Sequence, residues 1–477
     1  MKTKTRTHQK KKKKKKNLKM NSSTINHISE FFVKPKYVVE ESKHEPCHPA
    51  PIDLIMLSFH HIQVGLMFTK SSHLNDQEFS IHSFLEGLKD SLSLTLVHFY
   101  PLAGQLVTEV DEEKHECRVY VDCNKGPGAR FIHAALGVTV SDILSPKDVP
   151  LVVKSFFNLN EEVVNYDGHT KPLLCVQVTE LLDGVFIACS INHCITDGTS
   201  YWHFWNKWSE IHRANNNQNN QIYESHCLPI HKRWFPNGCD PPIPLPFTHC
   251  DEFIRKFEPS QLRDRIFHFS SESITRLKAI ANKESNAENI SSFQALCALV
   301  WRSIIRASRL LNDQVIYSDI IANTRHRLDP PLPEFYFGNS IKEVTTSTTT
   351  SDLLENNLGW VASLLHHSVA SLNDRFVRDS INEWLQSPFC LHHAELYDYN
   401  KVTIEQSPRF DMYGNEFGLG KAVAIRSGYA NKAMGVIYAY PGHEGGRAVD
   451  LEICLPPDSM NTLELDEEFM ACVSLPE

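Results

Sequence analysis

The chain has 477 residues and a formal net charge of −9, and 42% of its residues are hydrophobic and 22% charged. Eleven Lys or Arg and no acidic residue lie in residues 1–19, which leaves 37 basic against 57 acidic residues in the remainder. The length and composition predict a globular protein of two or three domains, and the acidic remainder argues against general nucleic-acid binding.

Residues 1–19 are predicted to be a disordered basic leader, because the seven lysines of Lys10–Lys16 repel one another. The alternative is a nuclear signal or a nucleic-acid-binding tail, and deletion of the leader would decide between them. No apolar segment of secretory type follows the leader. No stretch reaches the ~18 uninterrupted apolar residues of a membrane span. We therefore expect a cytoplasmic protein without a membrane span.

Residue types that bind metals are scattered along the chain. There are 13 cysteines and no Cys-x-x-Cys pair. In a large intracellular chain such cysteines are expected to be reduced and mostly buried thiols. His60 and His61 are adjacent and would face opposite sides of a strand, which argues against a shared metal ion. We predict no metal site.

The first half of the chain predicts strands and one long helix. Ile28–Val39 is an extended segment, and the apolar run Ile52–Phe68 ends in a strand. Ile81–Leu96 has the periodicity of an amphipathic helix, which stops at the proline and glycine of Phe99–Gly104.

A predicted hairpin precedes the most informative segment. Leu173–Leu181 and Val185–Asn192 are strand-like, and Asp183-Gly184 between them is a strong turn signal. His193 emerges where this pairing stops, and residues held by rigid strands are favoured places for chemistry. An imidazole with an ordinary pKa near ~6.5 can take a proton from a substrate hydroxyl at neutral pH. The alternative is a buried structural histidine with a satisfied hydrogen bond.

Asp197 and Gly198 follow His193 closely. Gly198 is expected to adopt a backbone conformation closed to other residues. Thr199 or Ser200 is expected to cap the next helix. Asp197 has two structural alternatives to a catalytic role: it could cap this helix, or it could pair with an arginine.

The helix after this segment is predicted over about Tyr201–His212. It carries three tryptophans at i, i+3, i+6 spacing, which predicts a buried stripe rather than a ligand site: Trp202, Trp205 and Trp208. Six prolines then lie between Cys227 and Thr248. They exclude a helix or a central strand, and they predict an extended connection between two domains.

The second half predicts further helices and strands. The helices are expected over Ser270–Asn282 and Ser291–Arg309, the second capped by its first serine. A strand is expected over Val315–Ile321, a polar turn over Thr345–Ser351, and several short strands within Val402–Leu455.

Four blocks stand in order along the chain. They are Phe99-Tyr-Pro-Leu-Ala-Gly104; His193-Cys-Ile-Thr-Asp197-Gly198; Asn323-Thr-Arg325-His-Arg327 with Pro330–Pro333 and Tyr336–Asn339; and Asn415-Glu-Phe-Gly-Leu-Gly-Lys421. Together they resemble the plant BAHD acyltransferase family, whose signature is His-x-x-x-Asp. Each block alone is weak, but four in the right order and spacing are specific. The resemblance covers the chain from about residue 30 to its C-terminus.

The resemblance implies an α/β fold with two similar-sized domains of mixed sheet flanked by helices, a long crossover and a channel between the domains. We expect an N-terminal acyltransferase domain at 20–224, a crossover linker at 225–265 and a C-terminal acyltransferase domain at 266–477. We also expect a monomer with no permanently bound cofactor. Its co-substrate would be acyl-CoA, and its acceptor a small-molecule alcohol or amine.

By the same resemblance, His193 is the general base that takes the acceptor proton. No covalent acyl-enzyme is needed, because the channel holds both substrates in attack geometry. The family's motif acid points away from the channel and pairs with an arginine, so Asp197 and Gly198 would shape the loop that presents the base. We expect Arg325 to be the partner, with Arg327 as the second choice.

The last block departs from the family's Asp-Phe-Gly-Trp-Gly motif. Phe417, Gly418 and Gly420 match it, whereas Glu416 is one methylene longer and Leu419 replaces the tryptophan. In the family this motif is chiefly structural and lies near the CoA side. The change therefore bears on CoA affinity or channel shape rather than on the base. The block also lacks the first glycine and the Ser/Thr of a phosphate-binding loop.

Other functions stay open at this point. The altered last block is compatible with a catalytically weak or non-catalytic binding or regulatory protein of the same fold. A peptide-condensation domain would have a second histidine at the position of Asn192. Acetyl, malonyl and hydroxycinnamoyl donors all remain possible.

Overall fold

We describe the protein from a computed structural model that defines residues 24–38, 46–70, 80–159, 163–216, 227–236, 238–255, 261–286, 289–392 and 398–474. The predicted leader at residues 1–19 and parts of the predicted linker lie outside these ranges. Within them, no helix combines the length and the apolar character needed to cross a bilayer.

Fourteen strands and eleven α-helices make up the described part of the fold. The strands are β1 (Asn26–Val33), β2 (Ile62–Thr69), β3 (Gln105–Asp111), β4 (Glu116–Asp122), β5 (Ala129–Ala135), β6 (Leu174–Glu180), β7 (Gly184–Ile191), β8 (Arg263–Phe269), β9 (Val315–Asn323), β10 (Ile341–Thr349), β11 (Lys401–Glu405), β12 (Ala424–Ser427), β13 (Val436–Pro441) and β14 (Val449–Leu455). The helices are α1 (Pro51–Ile55), α2 (Ile81–His98), α3 (Val140–Leu144), α4 (Gly198–Asn216), α5 (Ser271–Ser285), α6 (Ser292–Ser308), α7 (Thr350–Glu355), α8 (Leu358–Ser371), α9 (Asp374–Gln386), α10 (Pro457–Leu463) and α11 (Glu467–Met470).

Two six-stranded mixed sheets dominate the architecture. The first has the order β1-β5-β6-β7-β2-β12, and the second has the order β10-β9-β11-β13-β14-β8. Strands β3 and β4 form a separate antiparallel pair. Helices pack against both sheets, so the predicted α/β fold of two sheet-containing parts is confirmed.

The two central strands of the first sheet, β6 and β7, are buried and mostly apolar. Every residue of β7 is buried, and so is nearly all of β6. Apolar residues accordingly predominate in both strands, although β6 also contains Gln177, Thr179 and Glu180. The two strands pair antiparallel across the predicted turn at Asp183. Strand β7 ends at Ile191, two residues before His193, so this rigid hairpin fixes where His193 leaves the sheet.

The first sheet is completed by the second half of the chain. Strand β12 pairs antiparallel with β2, with Ala424 opposite Met67 and Ser427 opposite Val64. The predicted domain limits at residues 224 and 266 stay a prediction. The backbone hydrogen bonds between β2 and β12 nevertheless join residues from both sides of these limits.

Helix α4 confirms the predicted tryptophan stripe, since all three indole side chains are buried against the first sheet. The helix begins earlier than predicted, at Gly198. The expected cap at Thr199 or Ser200 is wrong. Asp197 is the capping residue, because its Oδ1 accepts a hydrogen bond of 3.0 Å from the backbone N–H of Ser200.

The polar turn predicted over Thr345–Ser351 is also wrong. Its first five residues belong to β10, an edge strand paired with β9 from Ile341 to Thr349. Threonine is β-branched and favours strands, and an edge strand with one exposed face accepts the polar side chains. The low-complexity composition concealed this alternation of buried and exposed residues.

Candidate active site

A cavity of about 790 Å³ lies between the two sheets and receives residues from both halves of the chain. His193, Gly198 and Thr199 line it from the first half, and Ala322 and Asn323 at the end of β9 line it from the second. Much of the remaining wall is apolar: Ile52, Ile55, Met56, Phe59, Ile62, Phe293, Val369, Val377, Ile381, Trp384 and Phe389. Such a wall excludes water and suits a small organic ligand.

His193 is held in this wall from several sides. Its backbone N–H donates to Oδ1 of Asn165 at 2.8 Å, and its carbonyl accepts from Nδ2 of Asn339 at 2.7 Å. Its Nδ1 atom is buried, and the side chain borders the cavity, so the Nε2 edge of the ring is the part that can meet a ligand.

The electrostatic surroundings keep the imidazole of His193 neutral. Burial lowers its pKa below the ordinary value of 6.5, and hydrogen bonding with Asn339 and the negative charges of Asp197 and Asp53 only partly oppose this effect. A neutral imidazole has a free lone pair and is ready to accept a proton near neutral pH.

Asp197 forms a buried, two-point ion pair with Arg325. The distances are 2.7 Å from Nη1 to Oδ2 and 2.9 Å from Nη2 to Oδ1, and the two residues are 0% and 1% exposed. Burial alone would raise the pKa of Asp197, but the charge and hydrogen bonds of Arg325 and the backbone N–H groups of Ser200 and Ser340 hold it below its usual value. Neither partner lines the cavity.

A second buried carboxylate supports the same loop and was not found from the sequence. Asp53 accepts hydrogen bonds from the backbone and side chain of Asn339 at 2.9 and 2.7 Å. Nε of Arg233 lies 3.0 Å from Asp53, and its Nη2 donates to the carbonyl of Ile195. Asp53 sits in an apolar run and Arg233 in the proline-rich connection, so neither belongs to a periodic pattern that could have indicated it.

Gly198 plays a different part from the one expected. Its φ is not in the left-handed region, so the expectation of a backbone conformation closed to other residues is wrong. A Cβ atom at this position would lie 3.2 Å from the ring of Phe410. Gly198 therefore matters because it leaves space for this ring at the cavity wall.

The variant block is not part of the cavity wall. None of the five residues Glu416–Gly420 lines it, although all five are described. Phe417 is buried against α4, with its ring centroid 4.7 Å from that of Trp208 and 5.8 Å from that of Trp205. Gly418 and Gly420 have φ of +76° and +81°, a region that favours glycine. The segment is thus a tight turn that inserts one aromatic ring into the core.

We expect Phe417→Ala to lower the free energy of unfolding by about 3–5 kcal/mol, because it removes a fully buried ring from the tryptophan stripe. Leu419→Ala is the matched control and should cost clearly less, since Leu419 is only partly buried. Urea unfolding followed by tryptophan fluorescence measures both. Equal losses in the two variants would contradict this account of the segment.

The described residues also contain no group of three or more histidine, cysteine or acidic side chains placed to hold a metal ion.

The arrangement of two helix-flanked sheets is also found in solved structures of other proteins. Vinorine synthase superposes with a TM-score of 0.71 and 20% identity, over 94% of this chain and 99% of that chain. TRI101 of F. graminearum, solved in complex with coenzyme A and T-2 mycotoxin, gives a TM-score of 0.69 at 15% identity, over 90% of this chain and 99% of that chain.

The sequence comparisons place the chain more narrowly. The family model of the Transferase family matches residues 28–470. BAHD acyltransferase DCR of Arabidopsis thaliana is 33% identical over 454 residues, which cover 94% of this chain and 92% of that protein. The chain belongs to this transferase family, the BAHD acyltransferases.

Proposed function

We propose that this protein transfers an acyl group from acyl-CoA to a hydroxyl or amine of a small plant metabolite, with His193 as the general base. The observation that carries the proposal is the position of His193 at a mostly apolar cavity between the two sheets, where burial lowers the pKa of its imidazole. A base must reach the proton that it removes and must be unprotonated at the working pH, and the position of His193 at the cavity and its lowered pKa support this role.

The reaction then proceeds in one ternary complex. The acceptor O–H or N–H gives its proton to Nε2 of His193 while its oxygen or nitrogen attacks the thioester carbonyl carbon. The tetrahedral intermediate collapses, the carbon–sulfur bond breaks, and the imidazolium returns the proton to the departing CoA thiolate. Positioning of both substrates in the cavity supplies much of the rate enhancement.

Asp197, Gly198 and Arg325 act on the base through the loop rather than as a proton relay. Asp197 is turned to Arg325 and to the start of α4, so its hydrogen-bonding capacity is used there. The ion pair fixes the loop against the segment after β9. His193 is thereby held at the boundary between the two halves, where both substrates can meet.

Three basic side chains of the cavity wall suit the phosphates of CoA. Arg327, Lys342 and Arg409 all line the cavity, and Arg327 and Arg409 are also exposed, as expected at an opening. TRI101, which shares the fold, was solved with coenzyme A. In this proposal acyl-CoA is a co-substrate that binds and is released in each turnover. Residues Glu416–Gly420 do not line the cavity and affect CoA binding only through the shape of the fold.

The test is acceptor-dependent release of CoA thiol. The full-length protein is incubated with acetyl-, malonyl- or hydroxycinnamoyl-CoA and pooled plant alcohols and amines, and products are identified by mass spectrometry. We expect thiol release only when an acceptor is present, together with a product that is heavier by the acyl group. Acyl-CoA binding without any acceptor-dependent release across the panel would favour a non-catalytic binding protein of the same fold.

A further inference from the structure

One wall of the cavity is more polar than the rest and lies on the second sheet. Lys401, Thr403 and Glu405 alternate along β11, and all three line the cavity. Glu343 of β10 lines it as well, two strands away. Beside Glu405, in register on β13, stands Tyr438, a further lining residue.

The charges of this wall do not cancel. The Nζ atom of Lys401 lies 2.6 Å from Asp319 and 3.2 Å from Glu343, so it is shared between two carboxylates. Glu405 adds a third carboxylate, for which no hydrogen bond or ion pair is found among the described residues. Burial, together with the charge of Glu343, raises the pKa of Glu405 to about 7. The wall therefore has more negative than positive charge and one carboxylate without a counter-ion.

A second group that lines the cavity, the side-chain amide of Asn431, also lacks a donor. The side-chain Nδ2 of Asn431 donates to the carbonyl of His61 at 2.9 Å, which fixes the orientation of this amide. Its Oδ1 is left buried without a partner among the described residues, and Asn431 lines the cavity. Tyr438 connects the two groups, because it is in register with Glu405 and its hydroxyl donates to the backbone carbonyl of Asn431 at 3.0 Å.

Buried acceptor oxygens without donors are costly unless a ligand supplies the missing hydrogen bonds. The carboxylate of Glu405 and the amide oxygen of Asn431 line the same cavity, and a cationic group with several N–H donors would satisfy both. Gln406, the next lining residue, has a further buried acceptor, its Oε1 atom, without a described partner. A protonated primary amine has the charge and the three donors that these groups lack.

We propose that the acceptor carries a protonated amine, separate from the group that is acylated, and that Glu405 and Asn431 bind this ammonium group. The inference rests on the proposed function, since it names the substrate class of the same cavity. It makes Glu405 a specificity-determining residue. The basic side chains Arg327, Lys342 and Arg409 then serve the anionic co-substrate, and the acidic wall serves the cationic acceptor.

The first test compares two acceptors of equal length, 6-amino-1-hexanol and 1-heptanol, with one acyl-CoA at pH 8, above the raised pKa of Glu405. Charge-assisted hydrogen bonds predict that the amino alcohol is preferred about tenfold or more in kcat/KM. Glu405→Gln should reduce this preference, measured as the ratio of the two kcat/KM values, to within about twofold. The matched control is Glu355→Gln, an exposed residue of α7 outside the cavity, which should keep the full preference.

Equal use of both alcohols by the wild type, or a preference that survives in Glu405→Gln, would overturn the inference while leaving the acyltransferase proposal intact. If neither alcohol supports thiol release, calorimetry decides the inference without turnover. We then expect 1,6-diaminohexane to bind the wild type, and 1,6-hexanediol and the Glu405→Gln protein to show no comparable binding. Failure of the diamine to bind the wild type would overturn it. Thermal unfolding of Glu405→Gln, expected at or above the wild-type midpoint, shows that the variant is folded.

Discussion

Replacing His193 with alanine is expected to lower kcat for acyl transfer by about 10²–10⁴-fold, the usual contribution of a positioned general base. The acceptor would still bind in the cavity and meet the thioester, so a residual rate from positioning should remain. The fold should be kept, because the backbone hydrogen bonds of His193 that hold the loop remain in the variant. Initial rates of thiol release at saturating substrates measure the effect.

The matched control is His367→Ala, which removes an exposed imidazole on α8 that does not line the cavity. It should keep wild-type activity. His193→Gln, which keeps a polar side chain of similar size, should be as impaired as the alanine variant. Retention of full acceptor-dependent thiol release by either His193 variant would exclude this residue as the base.

The pH dependence of the wild type gives an independent signature. A protonated imidazole cannot accept a proton, so kcat/KM should fall as the pH drops through the pKa of His193 in the free enzyme. Because burial lowers that pKa, this acidic limb should lie below the ordinary value of 6.5 for an imidazole. The limb should be absent from the residual activity of His193→Ala.

A large effect on stability is expected from breaking the pair of Asp197 and Arg325. Arg325→Met leaves a buried carboxylate without its counter-ion, and the free energy of unfolding should fall by about 3–5 kcal/mol. Activity should fall with it, because the loop that holds His193 loses its anchor to the second half. Urea unfolding and thiol release on the same preparation measure both consequences.

Asp197→Ala should be similarly destabilising, since it leaves a buried guanidinium and removes the cap of α4. The double variant should lose clearly less than the sum of the two single losses, because neither charge is then left alone. Arg375→Met is the control: its partner Asp379 and Arg375 itself are exposed, and such pairs contribute about 0–1 kcal/mol. Simple additivity of the two buried substitutions would show that the pair does not act as a unit.

Much of this site could be predicted from the sequence because its residues belong to local patterns. A strand–turn–strand signal placed His193 at the end of a hairpin, and the short spacing to Asp197 put the acid at the start of a helix. The order of the four blocks then indicated the family and, through it, Arg325 as the partner of the acid. Each of these inferences used residues that are close together in the chain, or a block that resembles a motif of the family.

The remaining residues of the site depend on contacts between distant parts of the chain. Asp53 and Arg233 are 180 residues apart in sequence and meet only once the fold is formed. The acidic wall with Glu405 arises from the register of three strands, which no local pattern specifies. The polar turn predicted near Thr345 failed for a related reason: pairing with β9 decided its conformation, whereas composition alone suggested a loop.

The pairing of β12 with β2 has a consequence for how the protein is made. During synthesis more than 350 further residues must be added after β2 before its partner strand β12 is complete. Until then one hydrogen-bonding edge of β2 is unpaired. An open apolar edge of this kind invites association with other chains. We therefore infer that truncated products ending before residue 424 would aggregate, and that the two halves cannot be produced as separate, stable pieces.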